Sequence, residues 1–359
     1  MKNLFYIPFL LLSSYAVQAQ NLNAYSDVRN YFYIFDDGKL VEAEYLPVSM
    51  PAVGGNCVAY VDNSSNFKIY YNGNSSIEAD NKPEKFTNTD DLVAYEFEKR
   101  LSVFDRGQTT VLTYAHGGYT VGDSVIGFYD TYNSVFKVYK DGVIHDVENL
   151  FEKAPPKSFK AGDNLVAFVN YNGFLKVYYA GQSFDLESVP PLHYKVGNNT
   201  VAYIDGASSN FKVFYKGATY VLETFPPTSF KVGDDLIAYV DNTGNFKIFY
   251  LGEVYTVQSY EPQYFDAVDN VAVYGDAQNF FGFYHGKTTK LETFKPDAYQ
   301  LDFNSVAYKD RSNKLKFFSE GVLKEGSSQI VNTFQLTRNV LMYSTDLESM
   351  HFLCNGKTY

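Results

Sequence analysis

The chain has no tryptophan, two cysteines, four methionines and five histidines in 359 residues. Its net charge is −11, and it has no tract of clustered Lys and Arg. That excludes nucleic-acid binding by phosphate neutralisation. The plain meaning of the acidic balance is solubility. His116, His145, His193, His285 and His351 show no H-x-H or H-x-x-x-H spacing, so they read as surface or packing residues rather than metal ligands. There is no Gly-x-Ser-x-Gly elbow, no glycine-rich phosphate loop ahead of a helix and no Cys/His metal pattern. No cofactor and no metal is therefore expected, and the protein reads as non-enzymatic. Carboxylates brought together from distant positions are left open, because spacing cannot show them. Nothing repeats at a helical period.

One long apolar run stands at the start. Lys2, the stretch Leu4 to Leu12, and Val17-Gln18-Ala19 read as a secretory signal peptide over 1–19, too short for a stable membrane span. No membrane span is expected after cleavage. The leader is similar to those of exported Bacteroidota proteins. The chain ends inside its last repeat, which leaves no room for a C-terminal sorting domain. The expected address is the periplasm, with an extracellular or outer-membrane-associated site as the alternative.

What is abundant is Tyr and Phe, with 18 % aromatic residues, arranged in a repeat. Ser229 to Pro262 shows the unit: four short extended runs separated by Gly233-Asp234-Asp235, Asp241 to Asn245 and Leu251-Gly252. These separators are turn formers. The unit predicts a four-stranded antiparallel meander. A small residue marks the second strand at Ala24, Ala59, Ala94, Gly127, Ala167, Ala202, Ala238, Ala272 and Ala307, with Met342 last. A glycine follows each marker, from Gly38 and Gly73 through Gly252 to Gly356. A glycine kept in ten divergent copies points to positive φ at a tight hairpin. The marker predicts close approach of the next sheet. The first repeat lacks its first strand, and Lys357-Thr358-Tyr359 is all that remains for the last strand. No exchange of strands between the ends is visible.

The repeats of 20–359 resemble β-propeller repeats. They lack the Trp-Asp of WD repeats, the kelch pattern and the Asp-box. The resemblance implies an all-β fold of about ten ~35-residue blades. One large ring is the first expectation, and two smaller rings, divided near 148–157, are the second, because propellers hold roughly four to eight blades. Cys57 and Cys354 are expected as buried strand thiols rather than a disulfide.

Two lysine sets stand out. Lys68, Lys137, Lys176, Lys212, Lys247 and Lys316 follow the third-strand aromatic and read as a solvated strand face or as stems lying over a neighbouring Tyr. Lys160, Lys195 and Lys231 occupy the first strand of three successive repeats. In a propeller that strand is innermost, so the three form a candidate channel-facing cluster for an anionic ligand or acidic partner, with Asp266 and Asp302 nearby. Asp27, Asp62, Asp130, Asn170, Asp205, Asp241 and Asp310 read as turn residues. The functional expectation is an interaction scaffold that binds other envelope proteins, such as a periplasmic subunit of an outer-membrane or secretion complex (a type IX translocon, for example). The alternatives are a carbohydrate-binding module and a channel-mouth hydrolase or lyase.

Overall fold

The computed structural model describes residues 21–149, 154–345 and 349–359. The stretch 1–19, expected to be a leader, and part of the 148–157 link lie outside them. The described residues form ten antiparallel sheets in one ring, nine of four strands and a first of three. Blade seven shows the pattern, with strands Ser229–Val232, Leu236–Val240, Phe246–Tyr250 and Glu253–Gln258. First strands of neighbouring blades touch one another and line the channel. Fourth strands are largely exposed and make the outer rim.

The described residues do not share one central core. Ten apolar clusters occupy the ten seams between blades. The second strand is buried on both faces, as in Leu236–Val240. In that strand Ala238 faces blade eight, while Ile237 and Tyr239 face blade six. A seam is thin, so it takes a small residue from one wall and large ones from the other. Tyr and Phe fill it. Phe32–Tyr60, Phe67–Tyr95, Phe211–Tyr239 and Phe280–Tyr308 pack across seams with ring centroids 5.1 to 5.3 Å apart. The marker reading needs one correction. Ala272 faces backwards, into the seam with blade seven. The position equivalent to Ala238 is Val273, which pairs with Gly282. The small residue has moved to the third strand, where Gly282 leaves room for Phe318.

The lysine column also differs from its expected role. Lys68, Lys212 and Lys247 are held at seams rather than on a solvated face. Lys247 donates to Glu223 of the preceding blade at 2.7 Å, and Asp241 of its own blade lies 2.9 Å away. The Tyr239 hydroxyl donates to the same Glu223 at 3.0 Å. The arrangement recurs at Lys212, Glu187, Asp205 and Tyr203 and at Lys68, Glu44, Asp62 and Tyr60. Lys176 bridges to Glu148 of the preceding blade, and Lys137 and Lys316 keep Asp130 and Asp310. The reason is position: the column lies where one fourth strand ends beside the next blade, and an isolated charge there would lose water without a partner.

The turn readings hold. Asp241 Oδ1 accepts from the backbone N–H of Thr243 and Asn245, and Asp27, Asp62 and Asp310 do the same in their loops. Burial works against the Asp241 charge, but bonds from Asn245, Lys247 and Thr243 outweigh it and keep the carboxyl well below its usual range. All ten repeat glycines have φ between 74° and 93°. The inner turns use glycine differently. A Cβ on Gly122 would strike the carbonyl of Gly162, one on Gly162 that of Gly197, and one on Gly197 that of Gly233. Neighbouring hairpins press backbone to backbone there.

The ring closes on packed aromatic rings and a buried hydrogen bond from Asn23 Nδ2 of blade one to Thr337 Oγ1 of blade ten at 3.4 Å. Phe35 of blade one stacks on Phe352 of blade ten at 4.4 Å, with Tyr25 and Tyr359 against the same pair. Both cysteines are free and buried. Cys57 lies in the seam of blades two and three and Cys354 in the closing seam. Burial pushes the Cys57 thiol up to about 12 and the Cys354 thiol up to about 11.

Three outcomes are expected in chemical denaturation. Gly73→Asn, at a φ of +81° with open space around it, should change stability by less than about 1 kcal/mol, because Asn tolerates the left-handed region. Gly197→Asn should lose about 1–3 kcal/mol or more through backbone overlap. Phe352→Ala, at 3 % exposure in the closing seam, should lose about 3–5 kcal/mol.

Candidate functional site

Strand direction assigns the loops to two ends of the ring. Links between blades and the turns from second to third strand share one end. Turns from first to second strand and from third to fourth share the other. At this second end the inner turn tips converge. From blade two to blade ten the tips are Gly55, Asp90, Asp123, Asp163, Asn198, Asp234, Asp269, Phe303 and Arg338. All but Gly55 line one cavity of about 260 Å³. Gly55 has a different use: a Cβ there would meet the Arg338 guanidinium, which reaches over from blade ten.

The next residue of each turn forms a second circle, linked from blade to blade. Asn56 donates to Asp91 at 2.7 Å, Asn164 to Asn199 at 2.8 Å and Asn199 to Asp235 at 2.9 Å. These bonds satisfy the turns and hold the tips at fixed places around the axis. The tips themselves are poorly matched in charge. Five are aspartates, and one is Arg338, whose Nη1 lies 2.9 Å from Asp90 Oδ2. The Arg338 backbone N–H donates to Asp302 at 2.9 Å, and its guanidinium lies over the Phe303 ring.

Crowding of acids in a half-buried site favours their neutral forms. Burial, then a hydrogen bond with Asp234, pushes Asp163 up to about 8. Burial together with Asp123 pushes Asp90 up to about 7, and burial together with Asp302 does the same for Asp269. Asp123 and Asp234 rise to about 6, chiefly by burial. Asp163, Asp234 and Asp269 bring carboxylate oxygens within 4.8 Å of one another. Oxygen donors at that spacing suit a hard divalent cation better than a soft metal. The repulsion can thus be relieved by protons or by such an ion.

This convergence was not anticipated from the sequence, where Gly233-Asp234-Asp235 reads only as a turn. The available signal was the recurrence of Asp at one repeat position in five blades. Of the anticipated cluster, Lys160, Lys195 and Lys231 do lie on three neighbouring first strands. Asp266 is close, 3.4 Å from Lys231. Asp302 is not part of that group and belongs to the acidic end through Arg338. The histidines pack against aromatic rings, His116 on Tyr119 and His285 on Tyr284 among them.

Radial four-stranded sheets around a channel define a β-propeller. The chain belongs to the 10-bladed beta propeller domain family, whose model matches residues 16–359. No curated protein matches the sequence. Solved structures similar to it include three of different origin. The computationally designed Ika8 protein is 14 % identical over 85 % of this chain and 95 % of that one, with a TM-score of 0.35. The CRINKLY WD40 ectodomain of the Arabidopsis thaliana receptor kinase ACR4 is 10 % identical over 66 % and 92 %, at 0.36. PorZ, a surface component of the type-IX secretion system of Porphyromonas gingivalis, is 8 % identical over 92 % and 57 %, at 0.29. Superpositions this loose add nothing to the ring described above.

The acidic end has a consequence for stability. A carboxyl raised above its ordinary value stabilises the fold only while protonated. That contribution is complete below pH ~4 and is lost as pH rises through about 6 to 8. The melting temperature of the wild type should therefore fall between pH 5 and pH 8.5. Asp163→Asn should flatten that fall and be the more stable protein at pH 8.5. Parallel curves for the two proteins would refute the assignment.

Proposed function

We propose that the protein is a non-enzymatic interaction scaffold of the cell envelope that binds protein partners through the end opposite the acids. The observation that carries this reading is the exposure of large side chains on that end. Tyr45, Tyr114, Phe225 and Tyr260 stand in the links between blades, and Tyr132 stands in a second-to-third-strand turn. Tyr114 is 76 % exposed, Phe225 60 % and Tyr132 86 %. Tyrosine offers a rigid, amphipathic contact area at low entropic cost, and aromatic anchors dominate many interfaces. The leader-like residues 1–19 support a periplasmic address. A subunit of an outer-membrane or secretion complex is the specific form of this reading.

A channel-mouth hydrolase is the second reading, favoured by the hydrogen-bonded carboxyls of Asp163 and Asp234. It ranks lower because the cavity there, about 260 Å³, is smaller than the roughly 300–1,000 Å³ of ordinary ligand pockets. Its lining also lacks a histidine or cysteine nucleophile.

The test is crosslinked affinity purification of the tagged protein from its native envelope, beside a Tyr114→Ser/Phe225→Ser/Tyr260→Ser variant. A stoichiometric partner should accompany the wild type. The variant should lose it by a factor of about 30 or more, a hot-spot loss of roughly 2 kcal/mol or more, with unchanged melting temperature. A wild type recovered alone would remove the scaffold reading.

A further inference from the structure

The wall of the channel holds a third feature, independent of the aromatic end and of the acidic end. One residue of each first strand pairs with the small second-strand position: Lys160 with Ala167, Lys195 with Ala202 and Lys231 with Ala238. Each of these side chains reaches the first strand of the next blade. Lys160 Nζ donates to the Tyr194 carbonyl at 2.8 Å, and Lys195 Nζ to the Phe230 carbonyl at 2.6 Å. Both ammonium groups also lie over the ring of that same residue. Lys231 meets Asp266. The three cations thus follow one another along a single stretch of wall.

The contrast with the seam lysines is informative. In a chain of net charge −11, Lys68, Lys137, Lys176, Lys212, Lys247 and Lys316 each face carboxylates. Among the described residues, Lys160 and Lys195 have no carboxylate at ion-pair distance. An ammonium carries three donors, and the backbone carbonyl uses one of them. Lys160, Lys231 and the neighbouring His193 are exposed. His193 packs edge-on against Phe230 at 5.5 Å. Burial, then repulsion by Lys231 and Lys160, holds the Lys195 ammonium below its ordinary range. Burial followed by Lys160 and Lys195 lowers His193. His193 begins its strand and lies towards the end with the aromatic links, so the approach is from that side, away from the five aspartates.

We propose that Lys160, Lys195 and Lys231, with His193, form a binding site in the channel for an oxyanion-bearing ligand. Its group is a phosphate or a carboxylate cluster, held by the spare ammonium donors and the imidazole N–H. Bidentate arginine geometry is absent, so recognition is of charge and size rather than of a planar group.

The experiment titrates the mature protein at low ionic strength with inorganic phosphate and, separately, with citrate, against chloride at matched ionic strength. Binding is read by calorimetry and by the NMR titration of His193. The wild type should bind at least one of the two oxyanions, and His193 should titrate at higher pH when it is bound. Lys160→Gln/Lys195→Gln/Lys231→Gln should bind at least about tenfold more weakly, since each charged hydrogen bond lost is worth that much. A control with the same charge change, Lys39→Gln/Lys287→Gln/Lys324→Gln on the exposed rim, should bind like the wild type. If the triple channel variant fails to fold, Lys195→Gln alone with the His193 titration gives the same decision. Preference for phosphate or citrate assigns the group. Equal binding by channel variant and control, or no effect of either anion beyond chloride, overturns the site.

Discussion

The contact on which the ring depends is the seam between one blade and the next. A glutamate ending one fourth strand receives a lysine and a tyrosine hydroxyl from the following blade, and an aspartate of that blade shares the lysine. Directly beside it, Phe from one blade packs on Tyr from the next. The pairing explains the composition. Tyrosine serves both parts of the seam, its ring buried with the phenylalanines and its hydroxyl on the glutamate. A ring of many blades also has thin seams. Small residues in the second strand and glycines in the inner turns are what allow two sheets to approach. With all apolar clusters lying in seams, each blade is stable only between neighbours, and the closing contact of Phe35 with Phe352 completes the set.

The two ends of the ring are chemically unlike because the strand order makes them so. Short inner turns project towards the axis and bring their tips together, so a residue repeated there meets its own copies. Five aspartates at that position crowd one another and hold raised carboxyls. Links between blades are longer, lie at the opposite end and leave their aromatic side chains in solvent. Repulsion at the acidic end opposes folding, and it persists because the circle of Asn–Asn and Asn–Asp bonds outside it fixes the turns.

Much of the architecture could be read in advance. Strand number, turn chemistry and the glycine hairpins follow from local rules, since a type I′ turn requires positive φ whatever lies around it. The three strands that blade one shows among the described residues and the short last strand of blade ten were legible for the same reason. Reading failed where the answer depended on a neighbour. Ala272 looked like the marker because the spacing fits, but one residue of register turns a side chain to the other face, and Gly282 had taken over the small position. The seam lysines looked solvated because their glutamates belong to another repeat, about 24 residues earlier. Its repeat position groups Asp302 with the wall lysines, but it ends its first strand and lies at the acidic end beside Arg338.

The sequence by itself determined the repeating unit, its turns and the burial of its second strand, because these are set by side-chain period and backbone preference within some thirty-five residues. Tertiary structure alone decided that ten units close one ring, with no exchange of strands among the described residues. It also decided which charges are compensated. Five identical acids meet at one mouth, while four column lysines find glutamates across the seams, Lys137 and Lys316 find acids in their own blades, and among the described residues Lys160 and Lys195 in the wall meet no carboxylate at ion-pair distance. The physical reason is that charge pairing acts through space between blades, and the distances that govern it exist only once the ring has closed.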